Sequence, residues 1–179
     1  NSSNIKEKYK LKTKIKNKDI NILFSSFSNN KNKGFKYFEF VKKLNLNSQI
    51  KISFVGNAPM QKGSFKSFKN TSHEKYSNYL NLCDIYIFCG IFESCSNSLV
   101  EAMALNKIIF CIESGSNREI LNKYDAHFFS DFETLENLIK NSKMIISRRN
   151  NLNFINVDNR EKYLNLIEDQ FNDSKIKHD

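Results

Sequence analysis

Glycine, proline, alanine and tryptophan are scarce in this chain: 5 Gly, 1 Pro and no Trp stand among 179 residues that include 16 Phe. Lys, Asn, Ile and Phe are correspondingly abundant, the bias that an AT-rich coding sequence produces, so much of the formal charge of +9 is compositional. What survives is a weaker expectation, a surface that tolerates phosphate-bearing ligands or peripheral contact with anionic lipid headgroups. No apolar run approaches the length of a membrane span, and no apolar segment follows the basic start to serve as a signal peptide. Cys83, Cys89, Cys95 and Cys111 lack the close paired spacing of a zinc site. Two of them lie in apolar, strand-like runs, which points to buried, reduced thiols and a cytoplasmic setting. The aromatics occupy periodic, core-like positions and form no interleaved basic stripe, which argues against a nucleic-acid partner. The length suits one ordinary domain with a real core.

Residues 1–19 are Lys-rich and nearly devoid of large apolar side chains, a basic lead-in or linker. From Ile20 the pattern changes to the β-formers of "INILFSSF", then a polar loop "SNNKNKG", then "FKYFEFVKKL" with apolar residues at helical spacing. The same alternation continues with strand "IKISFVG" at 50–56, a helix over 72–82, strand "DIYIFCG" at 84–90, a helix over 97–105 and strand "KIIFCI" at 107–112. A short helix near 117–123 precedes "AHFFS", and helices over 131–147 and 158–172 form a tail. Strands alternating with helices predict an α/β domain built on a doubly wound parallel sheet with helices on both faces. Ligands of such sheets bind beyond the carboxyl ends of the strands. The loops after residues 27, 56, 90 and 112 should therefore make one rim.

Three of the predicted helices open with a capping box, Thr71 with Glu74, Ser116 with Glu119 and Ser130 with Glu133. The helix in "FESCSNSLVEAMALN", residues 92–106, has none, because the positions three beyond Ser94 and Ser96 hold Asn97 and Leu99. Its first amides are then open to an outside anion. Glu93 precedes this helix and Glu101 lies inside it; helical side chains lean toward the amino-terminus, so both carboxylates can face the rim. Carboxylates accept from sugar hydroxyls and vacant helix amides hold phosphate, which together suggest a sugar joined to a phosphate. On spacing alone the plainer reading is a solvated Glu101 and an ordinary N-cap at Ser94 or Ser96.

Read whole, "FESCSNSLVEAMALNKIIFCIESGSNREIL" resembles the carboxyl-terminal, donor-binding half of the GT-B glycosyltransferases, specifically the retaining family four (glycosyl transferases group 1). The family's two glutamates, separated by seven residues, match Glu93 and Glu101; the resemblance implies that Glu93 holds the transferred sugar and Glu101 the nucleotide ribose. The amides of Ser96, Asn97, Ser98 and Leu99 are implied to cradle the diphosphate. Upstream, "ILFSSFSNNKNKGF" is similar to the family's first strand and phosphate loop, where Lys33 matches the Lys before Gly. The loop has no Arg, so Ser25, Ser26 and Ser28 are left to contribute neutral hydrogen bonds. "FVGNAP" matches a strand ending at which Gly56 lets the backbone approach the ligand closely, although a plain turn glycine fits as well. Base contacts fall to the loop around Phe68 to Thr71, and His73 reads as a surface residue. Where the family has Cys-Gly-x-Pro, this chain has Leu105, Asn106, Lys107 and Ile108, and Asn106 can take the left-handed conformation that Gly would adopt. Glu119 matches the family's loop-ending acid, and Gly115 is followed by Ser116 in place of a second glycine.

The resemblance covers residues 20 to about 148. It implies a Rossmann-like, nucleotide-sugar-binding domain over 20–179 with a helical tail, one half of a GT-B fold. Its activity would be hexosyl transfer with retention, with a nucleoside-diphosphate sugar as co-substrate and no cofactor or divalent metal. Lys33 and the helix amides would stabilise the departing diphosphate electrostatically while Glu93 orients the sugar. The acceptor and part of the catalytic apparatus would come from an amino-terminal Rossmann domain, without which the chain would be inactive. Its start at Asn1 keeps such a domain in view. The alternative is a non-catalytic nucleotide or sugar-phosphate binding module.

Overall fold

The structure is a computed structural model that describes residues 19–28, 30–56, 66–68, 72–91, 96–122 and 124–151. The basic lead-in up to residue 18 and the expected helix over 158–172 lie outside the described residues. Six strands form one sheet: β1 (Ile20–Ser26), β2 (Ile50–Gly56), β3 (Lys66–Phe68), β4 (Ile85–Phe88), β5 (Ile108–Ile112) and β6 (Ala126–Phe129). Their order is β3-β2-β1-β4-β5-β6 and every neighbouring pair is parallel. The helices are α1 (Phe35–Val41), α2 (His73–Leu82), α3 (Asn97–Ala104), α4 (Asn117–Ile120), α5 (Phe132–Lys140) and α6 (Ser142–Asn151). This is the doubly wound, Rossmann-like sheet. The direction of winding reverses between β1 and β4, the switch point beyond whose strand ends doubly wound sheets form their crevice.

Alternate residues of β1, β2, β4, β5 and β6 enter two separate cores, which is why these strands are apolar at successive positions. Ile22, Phe24, Ile85, Ile87, Ile108 and Phe110 pack with Phe38, Leu135 and Ile139 of α1 and α5. Leu23, Tyr86, Ile109 and Cys111 pack on the other face with Leu80 of α2 and Leu99 and Met103 of α3. Phe38 sits at the centre of the first core, its ring 5.1 Å from that of Phe24 and 5.0 Å from that of Phe54. Cys83, Cys89 and Cys111 are free and buried, and burial pushes the thiols of Cys83 and Cys111 up to about 12. They pack as small apolar side chains, with little thiolate to react.

The three capping boxes do not form as expected. Helix α2 is capped by Ser72, one residue after Thr71, with its hydroxyl accepting from the amide of Lys75. Helix α5 is capped by Asp131, one residue after Ser130; its carboxylate accepts from the Thr134 amide at 2.7 Å, a charged acceptor displacing a neutral one. Ser116 is the N-cap of α4, but its side chain makes no cap hydrogen bond. The expected helix over 131–147 is two helices, broken at Asn141, which donates from its side chain to the Asn137 carbonyl at 2.8 Å. Strand β3 went unforeseen, since three residues at a sheet edge carry too short a pattern to reveal period two. Asn106 does adopt the left-handed conformation, at φ 52°, and the amides of Asn106 and Lys107 return to the carbonyls of Met103 and Ala102.

Lys107 follows that turn and is 9% exposed. Its ammonium donates to the carbonyls of Asn81 at 2.6 Å and Cys83 at 2.9 Å, which closes the carboxyl end of α2 against the start of β5. Lys107→Ala should lower stability by about 3 kcal/mol, because it strands buried carbonyls without a donor. A denaturant midpoint equal to that of the wild type would show that water replaces the ammonium there.

Candidate functional site

Two glycines set the floor of the crevice. Gly34 closes the loop after β1 at φ 69°, and a Cβ there would lie 2.3 Å from the carbonyl oxygen of Cys89. Gly56 ends β2 at φ 128°, and a Cβ would lie 1.8 Å from the carbonyl oxygen of Ser26. Both glycines are therefore required by close passage of two main chains of the protein itself. For Gly56 this supplies a reason internal to the sheet, distinct from approach to a ligand. The loops after β1 and β4 are joined directly, the amide of Ile91 donating to the carbonyl of Asn32 at 2.7 Å.

Lys33 closes the short 3-10 turn Lys31–Lys33 on this loop, immediately before Gly34, and is half-buried. The serines of the loop are engaged within the protein. Ser26 donates to the carbonyl of Ser28 at 2.9 Å, and the Ser28 hydroxyl accepts from the amide of Asn30 at 3.1 Å. The Ser25 hydroxyl lies 2.8 Å from that of Tyr86 on β4 and 3.5 Å from that of Tyr76 on α2. These hydroxyls fix the loop's shape.

Helix α3 begins at Ser96, which is extended (φ −105°, ψ 120°) and makes no side-chain cap. Its hydroxyl instead lies 3.0 Å from that of Ser98. The carbonyl of Ser96 takes the amides of Leu99 at 3.0 Å and Val100 at 3.1 Å, so the Leu99 amide, one of the four expected at a phosphate, already has an acceptor. The amides of Ser96, Asn97 and Ser98 have none among the described residues. They lie at the positive end of the helix dipole.

Glu101 projects from the next turn of α3, its side chain 19% exposed. Oε1 lies 3.2 Å from Nε2 of His73 at the start of α2, while Oε2 is buried with no hydrogen-bond partner among the described residues. Burial raises the carboxyl pKa above its usual range, and His73 opposes the rise. His73 is thus a surface residue, 65% exposed, with a specific contact that its position in the sequence did not announce. Glu93 and Ser94 lie outside the described residues, as do residues 69–71 of the expected base-contacting loop; Phe68 ends β3.

On the far side of the rim, Asn117 is buried and donates from Nδ2 to the carbonyls of Gly90 at 3.1 Å and Ile112 at 3.0 Å. It ties the carboxyl ends of β4 and β5 together. Nothing in the spacing of the sequence marks it for that role. Glu113 pairs with Arg118 at 2.6 Å across the same loop, and the guanidinium lies 4.8 Å from the centre of the Phe128 ring.

A parallel sheet wound in this order, with the start of α3 following β4 beside its switch point, defines a Rossmann-like class of α/β domain. Among solved structures, sucrose-phosphate synthase from Thermosynechococcus elongatus is similar with a TM-score of 0.63 and 14% identity, over 90% of this chain and 47% of that one. HepE of Anabaena in complex with UDP-glucose is similar with a TM-score of 0.53 and 14% identity, over 84% of this chain and 49% of that one. The catalytic domain of cholesterol-α-glucosyltransferase from Helicobacter pylori follows with 0.51 and 15%, over 82% of this chain and 99% of that one. At these identities the likeness is one of fold, and the chain spans about half the length of the first two. No curated protein matches the sequence. The model of the family described as glycosyl transferases group 1 matches residues 5–162, and the chain belongs to that family.

Proposed function

We propose that this chain is the carboxyl-terminal, donor-binding half of a retaining glycosyltransferase and that it takes a nucleoside-diphosphate sugar in the β1/β4 crevice. The observation that carries this reading is the start of α3, where the amides of Ser96, Asn97 and Ser98 lack acceptors among the described residues, one turn from the carboxylate of Glu101. A diphosphate there completes the amides' hydrogen bonds and meets the helix dipole. Glu101 accepts from the ribose hydroxyls through the oxygen that His73 now holds. Lys33 neutralises the diphosphate as it departs, and Glu93 orients the transferred sugar. Ser26, Ser28 and Gly56 keep the crevice in shape and act indirectly. HepE, whose fold is similar, was solved with UDP-glucose and with UDP, which supports a nucleotide sugar as the ligand class.

The acceptor and the rest of the catalytic apparatus come, in this reading, from an amino-terminal Rossmann domain, and transfer needs both halves. The basic charge of +9 suits peripheral contact with anionic lipid from the cytoplasmic side. UDP, GDP and ADP, free and as sugar conjugates, would be titrated against the chain while its backbone amide resonances are followed. One base should saturate with the largest shifts at residues 96–98 and 33–34. Shifts confined to other loops would sink the proposed site. A second reading, a non-catalytic binding module, draws on the serines of the first loop, whose hydroxyls are spent within the protein where no Arg is present. Sugar transfer by this chain joined to an acceptor-binding domain would remove that reading.

A further inference from the structure

A glutamate on the second turn of a helix is ordinarily free to extend into water, and Glu101 does not. Its side chain is 19% exposed, and Oε2 is buried with no hydrogen-bond partner among the described residues. A desolvated, unpaired carboxylate oxygen costs free energy that the side chain would recover by swinging outward. His73 opposes that swing. Its Nε2 lies 3.2 Å from Oε1, and it is the only hydrogen-bond partner of this carboxylate among the described residues. An ionised carboxylate only accepts, so Nε2 carries the proton and donates it.

Both ends of this bridge are fixed. His73 is the first residue of α2, directly after the cap at Ser72, whose carbonyl takes the Tyr76 amide at 2.9 Å and whose hydroxyl takes that of Lys75 at 3.4 Å. Glu101 lies within α3, its carbonyl taking the Leu105 amide at 3.0 Å. Tyr76 and Leu80 of α2 share one core with Leu99, Ala102 and Met103 of α3, so the two side chains meet from a packed base.

We propose that His73 is a positioning residue of the nucleotide site: its ring NH holds the Glu101 carboxylate against α2, with a lone pair of Oε1 still open to a ribose hydroxyl. This deepens the nucleotide-sugar reading and rests on it for the identity of the ligand, while the state of Glu101 in the ligand-free protein is independent of it. His73 acts through Glu101 in two ways. It orders the side chain before the ligand arrives, so that less binding free energy is lost in fixing it. It also favours the charged form: burial raises the Glu101 carboxyl pKa, and the hydrogen bond and charge of His73 lower it. The other titratable groups that act on Glu101 are the phenols of Tyr76 and Tyr86, which burial pushes up and keeps neutral. Glu74 and Lys75, next to His73 on α2, are exposed.

The test compares the wild type with His73→Ala and with His73→Gln, which places an amide NH2 where Nε2 stands. In the ligand-free protein the Glu101 carboxyl carbon, followed by NMR across pH, should titrate at higher pH in His73→Ala and return toward the wild-type midpoint in His73→Gln. UDP, GDP and ADP are then titrated beside their 2′,3′-dideoxy counterparts. For the base that binds, His73→Ala should weaken the ribonucleotide about fivefold, the scale of one exposed hydrogen-bonded pair, and leave the dideoxy form unchanged. His73→Gln should recover most of that loss. An unmoved Glu101 midpoint or an unaffected ribonucleotide affinity overturns the proposal. Equal weakening of both nucleotide forms also overturns it, because His73 would then act away from the ribose, and so does a glutamine that recovers nothing. If the wild type binds no nucleoside diphosphate, the donor reading falls, and the Glu101 titration still decides whether His73 holds that carboxylate.

Discussion

Gly56→Ala is expected to destabilise the protein by about 4 kcal/mol, the sum of a forbidden backbone conformation and an overpacked contact. At φ 128° the residue lies where L side chains are rarely found, and the added methyl carbon would meet the Ser26 carbonyl oxygen at 1.8 Å and its carbon at 2.6 Å. Neither neighbour is a flexible side chain that can swing away. The register pairs Ser26 with Gly56, so relief requires β1 and β2 to part at their carboxyl ends. Domains of this size are stable by roughly 5–15 kcal/mol, so the variant should unfold near physiological temperature or accumulate as insoluble protein. Thermal and urea unfolding of the purified variant would show it. A midpoint within error of the wild type would mean that the two strand ends are not held as described.

Glu101→Ala is expected to act on binding and to spare the fold. Removing a charged acceptor from the ribose should weaken the nucleoside diphosphate about 30-fold, on the order of 2 kcal/mol for a hydrogen bond to an ionised group. The same residue gives the reading a pH signature. Burial raises its carboxyl pKa in the folded protein, and His73 only partly offsets this. Because the folded pKa lies above the unfolded one, the stability linked to protonated Glu101 is fully present below the unfolded pKa and is lost as pH rises through the folded one. Binding at the proposed site has the opposite sign, since the ribose contact proposed for Glu101 uses the carboxylate. Wild-type affinity should therefore fall on acidification through the raised pKa while stability gains from this group, and Glu101→Ala should flatten both trends. Calorimetric titration across pH with both proteins is the measurement. A wild-type affinity unaffected by the substitution would count against the ribose assignment.

Much of the fold was legible because both faces of the sheet are covered. Runs such as "KIIFCI" and "DIYIFCG" carry no polar face, and only a buried parallel strand explains them in so short a length. The left-handed turn at Asn106 was legible for a local reason, since few residues accept that conformation. The caps were harder. Thr71 and Ser72, or Ser130 and Asp131, are adjacent residues that both suit an N-cap, and which one takes the helix amides is settled by backbone entry and acceptor strength. The site divides in the same way. Glu101 and the open start of α3 were visible in one continuous segment, whereas the partner of Glu101 lies 28 residues earlier in the chain and that of Ser25 lies 61 residues on. Tyr86 did leave a trace. A single phenol within an apolar strand run asks for a buried hydrogen-bond partner, although the sequence does not name it.

The loop after β1 is anchored by its main chain: Gly34 rests on the carbonyl of Cys89, and the Asn32 carbonyl takes the Ile91 amide. Phe27, in the same loop, is 46% exposed. Side chains at its outer positions can therefore be exchanged without recasting the scaffold beneath them, which makes the missing guanidinium an engineering opportunity. An arginine installed at Phe27 would exchange the edge-on contact of that ring with Tyr76 for cationic character, on a loop held by its backbone contacts and by the hydroxyls of Ser26 and Ser28.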